Sequence, residues 1–69
     1  MGKKWTRVID GLPEECTPVY VRFLWNLNDK FDYAYAWRQS GGWHLFHYMY
    51  GSLTAAEARP YEWTPLEMV

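Results

Sequence analysis

Alternating hydrophobic positions predict three β-strands in the middle of the chain. Residues 18–25 are rich in β-branched and aromatic side chains, residues 31–37 alternate strictly, and residues 43–50 alternate again. Turn-forming residues separate the three runs, at 26–30 and at 39–42, and the second of these segments holds two glycines. Strands joined by turns this short predict an antiparallel meander.

The ends of the chain show weaker patterns. Residues 1–16 have the composition of an extended arm that ends in a turn. Residues 53–59 contain Thr54 and Glu57 at capping-box spacing, which favours a short helical turn. Residues 61–63 favour a last short strand before Pro65. We therefore predict a mainly β fold (a small α+β fold is the alternative), a three- to four-stranded antiparallel meander with N- and C-terminal arms packed on one face and at most one short helical turn. It forms a single domain over 1–69.

Both faces of the predicted strands carry large apolar groups. The period of two places Val19, Val21, Phe23 and Trp25 on one face of the first strand, with Tyr20, Arg22 and Leu24 on the other. In the next strand it separates Phe31, Tyr33, Tyr35 and Trp37 from Asp32, Ala34, Ala36 and Arg38. A small sheet with one face in water should instead carry polar residues on that face.

Two interpretations account for this surplus of apolar groups. In the one we prefer, the terminal arms cover the second face, where Ala34 and Ala36 are small enough to let them approach; the arms carry Trp5, Val8, Leu12, Trp63 and Leu66. In the other, part of the surplus stays exposed as a binding patch. Under both, we expect partial exposure of several members of the set Tyr20, Tyr33, Tyr35, Tyr48 and Tyr50.

Composition narrows the class of protein. Cys16 is the only cysteine, so no internal disulfide can form, and the aromatic residues, 20% of the 69, must supply the core. The lone thiol, the lack of a signal-like apolar run and the lack of a membrane-spanning stretch predict a cytoplasmic protein. Seven basic and eight acidic residues nearly cancel, which leaves no electrostatic footprint for binding duplex DNA.

The chain offers little catalytic chemistry. His44 and His47 lie three positions apart on one predicted strand and should point to opposite faces, so with Cys16 they make a poor metal-ligand set. The adjacent carboxylates at 14–15, like those at 29 and 32, belong to predicted turns, where solvation is the usual case. We predict that the protein is not an enzyme and takes no cofactor and no metal.

The two ends of the chain carry motifs that resemble a known family. Residues 5–15 match the opening W-x-x-V-x-D-x-L-P-E of small phage and prophage proteins catalogued as a domain of unknown function, and residues 63–66 match their closing W-x-P-L. Between them, Tyr33-Ala34-Tyr35 and Gly42-Trp43 also resemble the family pattern. The chain departs from the family pattern at two places. Cys16 stands where a glycine is common, and Tyr61-Glu62 stands in place of the usual Thr-His before the closing tryptophan.

The resemblance implies an accessory protein of a phage or mobile element. Such proteins often bind and block a host factor, so we predict non-enzymatic protein binding that inhibits host defence in the bacterial cytoplasm. The target would be a host protein such as a CRISPR-Cas subunit, blocked in the manner of anti-CRISPR inhibitors of nucleic-acid-binding Cas proteins. The protein itself is expected to be a monomer or weak homodimer. The predicted partner-binding residues are Asp29, Asp32, Tyr33, Tyr35, Tyr48, Tyr50, Glu57 and Glu62.

A second function stays open from the sequence. Aromatic residues interleaved with Arg22, Lys30 and Arg38 resemble sheets that bind single-stranded nucleic acid by stacking bases on rings beside cations. A purely structural, self-associating domain is a third reading.

Overall fold

One antiparallel sheet contains all the regular structure in the part of the chain that the computed structural model describes, residues 4–66. Its strands are β1 (Thr6–Arg7), β2 (Val19–Trp25), β3 (Phe31–Gln39), β4 (Gly42–His47), β5 (Gly51–Leu53) and β6 (Ala58–Pro65), and they lie side by side in the order β1-β6-β2-β3-β4-β5. The prediction of a mainly β fold is confirmed. The predicted number of three to four strands is wrong, because six strands form within these residues.

The extra strands come from the ends of the chain. β6 is eight residues long and pairs with β2 on one side and β1 on the other, so the C-terminal arm is part of the sheet rather than a cover over it. The register shifts between Arg22 and Phe23, which leaves Tyr61 as the additional residue of a β-bulge. The Tyr61 carbonyl accepts a hydrogen bond from the Val8 N–H at 2.9 Å.

Two turns form where the sequence predicted them, but the residues at their centre or the structure that follows them differ from the prediction. In the β3–β4 hairpin the residues at positive φ are Ser40 (55°) and Gly41 (78°), as a two-residue type I′ turn requires, while Gly42 already belongs to β4. In the β5–β6 connection the Glu57 carboxylate accepts hydrogen bonds from the Thr54 N–H at 2.8 Å and the Thr54 hydroxyl at 3.2 Å. The Thr54–Glu57 pair thus closes a turn, and no helix follows it.

The core lies on one face of the sheet. Residues whose Cα atoms are partners on neighbouring strands share a face of the sheet. The pairs Val19–Ala36, Val21–Ala34, Ala36–Leu45 and Leu45–Leu53 therefore place these six buried apolar side chains on the same side. Phe23 and Ala58 complete this cluster, and Trp25, Trp43 and Trp63 pack against its margin. We call this side the core face.

The sheet must curl around its core face. In a flat sheet β5 and β6 would lie roughly 19 Å apart, since three strands separate them. Residues 54–57 join them through a turn, closed by a hydrogen bond from the Glu57 N–H to the Thr54 carbonyl at 2.9 Å, and such a turn spans less than about 7 Å. The Asn26 side-chain amide holds this turn at the end of β2 by donating to the Ala55 and Ala56 carbonyls.

The segment after β1 is attached to the core face. The Trp63 indole donates to the Gly11 carbonyl at 2.9 Å, the Cys16 N–H donates to the Arg38 carbonyl at 2.7 Å, and Pro13 between them is buried. The N-terminal segment is therefore fastened to the core face, while Trp5, another predicted cover, lies against Tyr20 and Tyr33 on the opposite face. That an arm covers the face of Ala34 and Ala36 stays a prediction. It is wrong that this is a second face, because the alanines belong to the core face itself. Leu12, a predicted cover, is 50% exposed.

Cys16 occupies a position that favours glycine. Its φ is 64°, in the left-handed region where a side chain is strained. We expect Cys16→Gly to raise the free energy of unfolding by about 0.5–1 kcal/mol in urea denaturation. Thr17→Gly, one residue along, has no positive φ to relieve and is the control, expected to be neutral or destabilising. Equal effects of the two substitutions would contradict this reading of the backbone.

Candidate functional site

The face opposite the core is an open surface of aromatic rings. We call it the aromatic face, and its residues are Trp5, Tyr20, Phe31, Tyr33, Tyr35, Trp37, His44, Phe46 and Tyr48. Those members of the aromatic face that belong to β2, β3 and β4 alternate with the buried positions of the same strands and therefore point away from the core. Phe31, Tyr33, Tyr35, Phe46 and Tyr48 are 42–79% exposed and together present roughly 500 Å² to solvent. That is a large exposed apolar patch for a chain of this size.

The rings at the middle of the aromatic face hold one another in place. Tyr20 and Tyr33 stack with ring centroids 5.8 Å apart, and Tyr35 contacts Tyr20 at 5.6 Å. Trp5 lies against both Tyr20 and Tyr33, at 6.3 and 6.1 Å. Beside them is a depression of about 160 Å³, also lined by Phe46 and Tyr48. It is smaller than the pocket of a typical small-molecule ligand and of a size to receive one protruding side chain.

Charges at one end of the aromatic face are matched within the protein. The Arg22 Nε lies 2.8 Å from a Glu62 carboxylate oxygen, and the Arg22 guanidinium lies over the Phe31 ring at 4.1 Å. The Arg7 guanidinium lies over the Tyr61 ring at 4.5 Å. This end of the face therefore presents paired rather than isolated charges.

The predicted partner-binding residues fall into separate places. Tyr33, Tyr35 and Tyr48 come together on the aromatic face. Asp32, Tyr50 and Glu57 line a cavity at the end of the core face, again with Tyr48 at its rim. The two remaining acids pair with cations: Asp29 lies 2.6 Å from Arg59 at the surface, and Glu62 pairs with Arg22. The eight residues do not form one site.

Asp32 is the centre of a hydrogen-bond network on the core face. One carboxylate oxygen, Oδ2, accepts from the Trp25 indole N–H at 3.0 Å and from His47 Nε2 at 2.9 Å, and Oδ1 accepts from the Tyr33 N–H at 2.8 Å. His47 is 1% exposed. Its Nδ1 accepts from the N–H groups of Met49 at 3.1 Å and Tyr50 at 3.4 Å.

The network determines which nitrogen of His47 carries the proton. Because Nδ1 accepts from two backbone N–H groups, the proton of the neutral ring lies on Nε2 and is donated to Asp32. Both ring nitrogens thus have partners inside the protein, and His47 in this state has no lone pair to offer a substrate. The hydrogen bonds from the Met49 and Tyr50 N–H groups to His47 also end β4 at His47, whereas the sequence predicted a strand through Tyr50.

The pKa of Asp32 reflects its donors. Burial raises the pKa of this carboxyl, but the Tyr33 N–H, His47 and Trp25 outweigh that effect and bring it below the ordinary value. Asp32 is therefore ionised at neutral pH.

Sequence reasoning missed several members of both places. It did not select Trp5 and Phe46 on the aromatic face, or Trp25, His47 and Met49 beside Asp32. One signal was present: Asp32 shares the face of Ala34 and Ala36, and a carboxylate among inward-facing positions needs hydrogen-bond donors. Identifying the donors required the pairing of β3 with distant strands.

The potential metal ligands lie apart. His44 stacks on Trp37 at 5.6 Å on the aromatic face, His47 is buried on the core face as the alternation predicted, and Cys16 is exposed beyond the end of β2. Within residues 4–66 no group of three or more His, Cys, Asp or Glu residues is arranged to hold a metal ion. In the same residues, no helix has the length and apolarity needed to cross a membrane.

No protein-family model, curated protein or solved structure matches the chain. The resemblance of the end motifs to a phage family therefore stays a prediction.

Replacing the Asp32 carboxylate should unfold the protein more easily. Asp32→Asn keeps the shape but turns an NH₂ group toward one of the donors, so we expect a loss of about 1–3 kcal/mol in the free energy of unfolding at pH 7. Urea denaturation measures this. Asp29→Asn is the matched control, because its exposed ion pair with Arg59 should contribute less than about 1 kcal/mol.

The same pair of variants has an expected pH dependence. Since folding lowers the pKa of Asp32, its ionised form stabilises the fold above the ordinary carboxyl value of about 4, and this contribution is lost as pH falls through the lowered pKa. The gap in unfolding free energy between wild type and Asp32→Asn should therefore narrow below about pH 4. A constant gap at all pH values would show that the charge of Asp32 does not matter.

Proposed function

We propose that this protein is a non-enzymatic binding domain and that its aromatic face is the interface for a partner protein. The observation that carries the proposal is the exposure of five large rings on one side of a sheet whose core is complete on the other side. A face this apolar is costly to leave in water unless a partner covers it. Tyrosine and tryptophan are also the residues that most often dominate the energy of protein interfaces.

The rigidity of the rings supports the same function. Tyr20, Tyr33 and Tyr35 belong to paired strands and contact one another, so binding would immobilise few side chains that are not already held. A lower entropic cost leaves more of the contact energy as affinity. The depression next to Phe46 gives a partner one place to insert a side chain.

The charges favour a protein partner over single-stranded nucleic acid. Of the three cations in the nucleic-acid hypothesis, Arg22 pairs with Glu62, and Arg38 contacts Trp43 on the core face. Lys30 is exposed, but it lies in the β2–β3 turn. Binding of single strands needs accessible cations along the stacking surface.

The biological setting is proposed from the resemblance of the end motifs. It suggests an accessory protein of a phage or mobile element, which binds a host protein in the bacterial cytoplasm and inhibits host defence. Occlusion of a basic groove in a Cas protein would need an acidic surface. Asp29, Asp32 and Glu62 have partners within the protein, so a target surface of apolar character fits the aromatic face better.

Removal of two rings from the aromatic face should abolish partner capture. We expect Tyr35→Ala/Phe46→Ala to fold and to capture its partner from bacterial lysate at least tenfold more weakly than wild type, since interface anchors each contribute about 2 kcal/mol or more. Affinity purification with quantitative mass spectrometry measures this. The control is Tyr50→Ala, which removes a ring of similar exposure (63%) from the core-face cavity.

Three results would contradict the proposal. The first is capture of the same proteins by wild type and the double variant. The second is loss of capture in Tyr50→Ala only. The third is tight binding of a mixed-sequence single strand that weakens steeply with salt, which would favour the nucleic-acid function.

A further inference from the structure

A cavity of about 420 Å³ opens at the end of the core face, away from the middle of the aromatic face. Three connections meet there: the β2–β3 turn, the β4–β5 turn and the β5–β6 turn, each of which contributes to its lining. Its volume lies in the usual range for a small-molecule ligand or a large side chain. The protein-binding function proposed for the aromatic face does not use it.

Aromatic rings form the walls of this cavity. Trp25 and Tyr50 lie at 87° to each other with centroids 5.7 Å apart, so the two rings meet as a corner. His47 stacks on Tyr50 at 5.0 Å and keeps that ring in place, while Met49 adds a polarisable side chain to the lining. A corner of two aromatic faces is the arrangement that attracts a cation through the negative faces of the rings.

Two carboxylates supply the charge of the cavity, and His47, which also lines it, donates to Asp32 in its neutral form. Asp32 and Glu57 both line it, and neither lysine nor arginine is among its lining residues in the described part of the chain. Asp32 is ionised because its donors hold its pKa down, and its side chain is still 33% exposed. A positively charged ligand would therefore meet two carboxylates and two ring faces.

The hydrogen bonds around the carboxylates select the kind of cation. The Asp32 oxygens already accept from three donors, which leaves about one of roughly four acceptor positions. One oxygen of Glu57 accepts from both donors of Thr54. A primary ammonium would have to exchange its three hydrogen bonds to water for the few acceptor positions that remain on Asp32 and on the second oxygen of Glu57. A quaternary ammonium carries no N–H group and therefore needs no hydrogen-bond acceptor.

We propose that this cavity is a binding site for a quaternary ammonium group, such as the trimethylammonium head of a choline-like small molecule. The aromatic corner of Trp25 and Tyr50 would contact the methyl groups, and the carboxylates of Asp32 and Glu57 would supply the charge complement without direct hydrogen bonds.

Choline itself is the probe for the test, and the Trp25 indole N–H is the reporter. In ¹H–¹⁵N spectra of the whole protein at constant ionic strength, choline chloride should shift the Trp25 indole signal saturably. The neutral isostere 3,3-dimethylbutan-1-ol has the same shape without the charge and should bind at least tenfold more weakly. Butylammonium, a primary amine, should also bind more weakly than choline.

Two variants separate this site from the aromatic face. Tyr50→Ala leaves the backbone bond of residue 50 to His47 in place and should weaken choline binding roughly three- to tenfold, the range expected for loss of one ring. Tyr35→Ala/Phe46→Ala, on the aromatic face, should leave choline binding unchanged. Tyr50→Ala is the control for partner capture and the test for choline binding, and the aromatic-face variant has the opposite use. Either proposal can therefore be rejected without the other.

Several outcomes would overturn the proposal. Equal binding of choline and its neutral isostere would make the cavity merely apolar. Equal or tighter binding of butylammonium would reject the preference for a quaternary group. Absence of a saturable shift up to 100 mM choline, or equal affinities of wild type and Tyr50→Ala, would reject the site.

Discussion

The alternation of small and large side chains along β3 is the constraint on which the rest of the structure depends. Ala34 and Ala36 face inward at the centre of the sheet, and Tyr33 and Tyr35, which alternate with them along β3, face outward. Small groups inside and large rings outside let the sheet curl toward its core face. The curl in turn lets a single layer, together with the 8–17 segment, enclose a cluster of apolar side chains. The same alternation makes an exposed aromatic surface unavoidable on the outside.

Local patterns were sufficient to predict the middle of the fold. β2, β3 and the hairpin into β4 follow from β-branched and aromatic runs with turn residues between them, and each of these interactions is close in sequence. The edges were not predictable in this way. Thr6 pairs with Trp63, and Val21 pairs with Trp63 from the other side, so β6 exists because two distant strands supply its hydrogen bonds. Pro65 argued against so long a strand, and Pro60 within β6 has no N–H to give to a neighbouring strand; the bulge at Tyr61 lies directly beside it.

The candidate sites also contain one part that local sequence patterns predicted and one part that depends on distant strands. The exposed tyrosines were foreseeable because alternation assigns faces, and Tyr33, Tyr35 and Tyr48 do meet on one surface. The acids were chosen because they could oppose a basic groove of a nucleic-acid-binding target, and that reasoning could not anticipate their partners within the protein. Arg59 reaches Asp29 in the β2–β3 turn from β6, and His47 reaches Asp32 from β4. Partners of charged residues depend on tertiary pairing, which a single sequence does not display.

The edges of the sheet limit how another chain could approach it. β1 has two residues and β5 has three, whereas the strands between them have six to nine. An exposed strand must be long to template the addition of a further strand, and short edge strands are a known protection against aggregation by that route. The interface proposed on the aromatic face would accordingly use side chains that stand upright on the sheet rather than peptide groups.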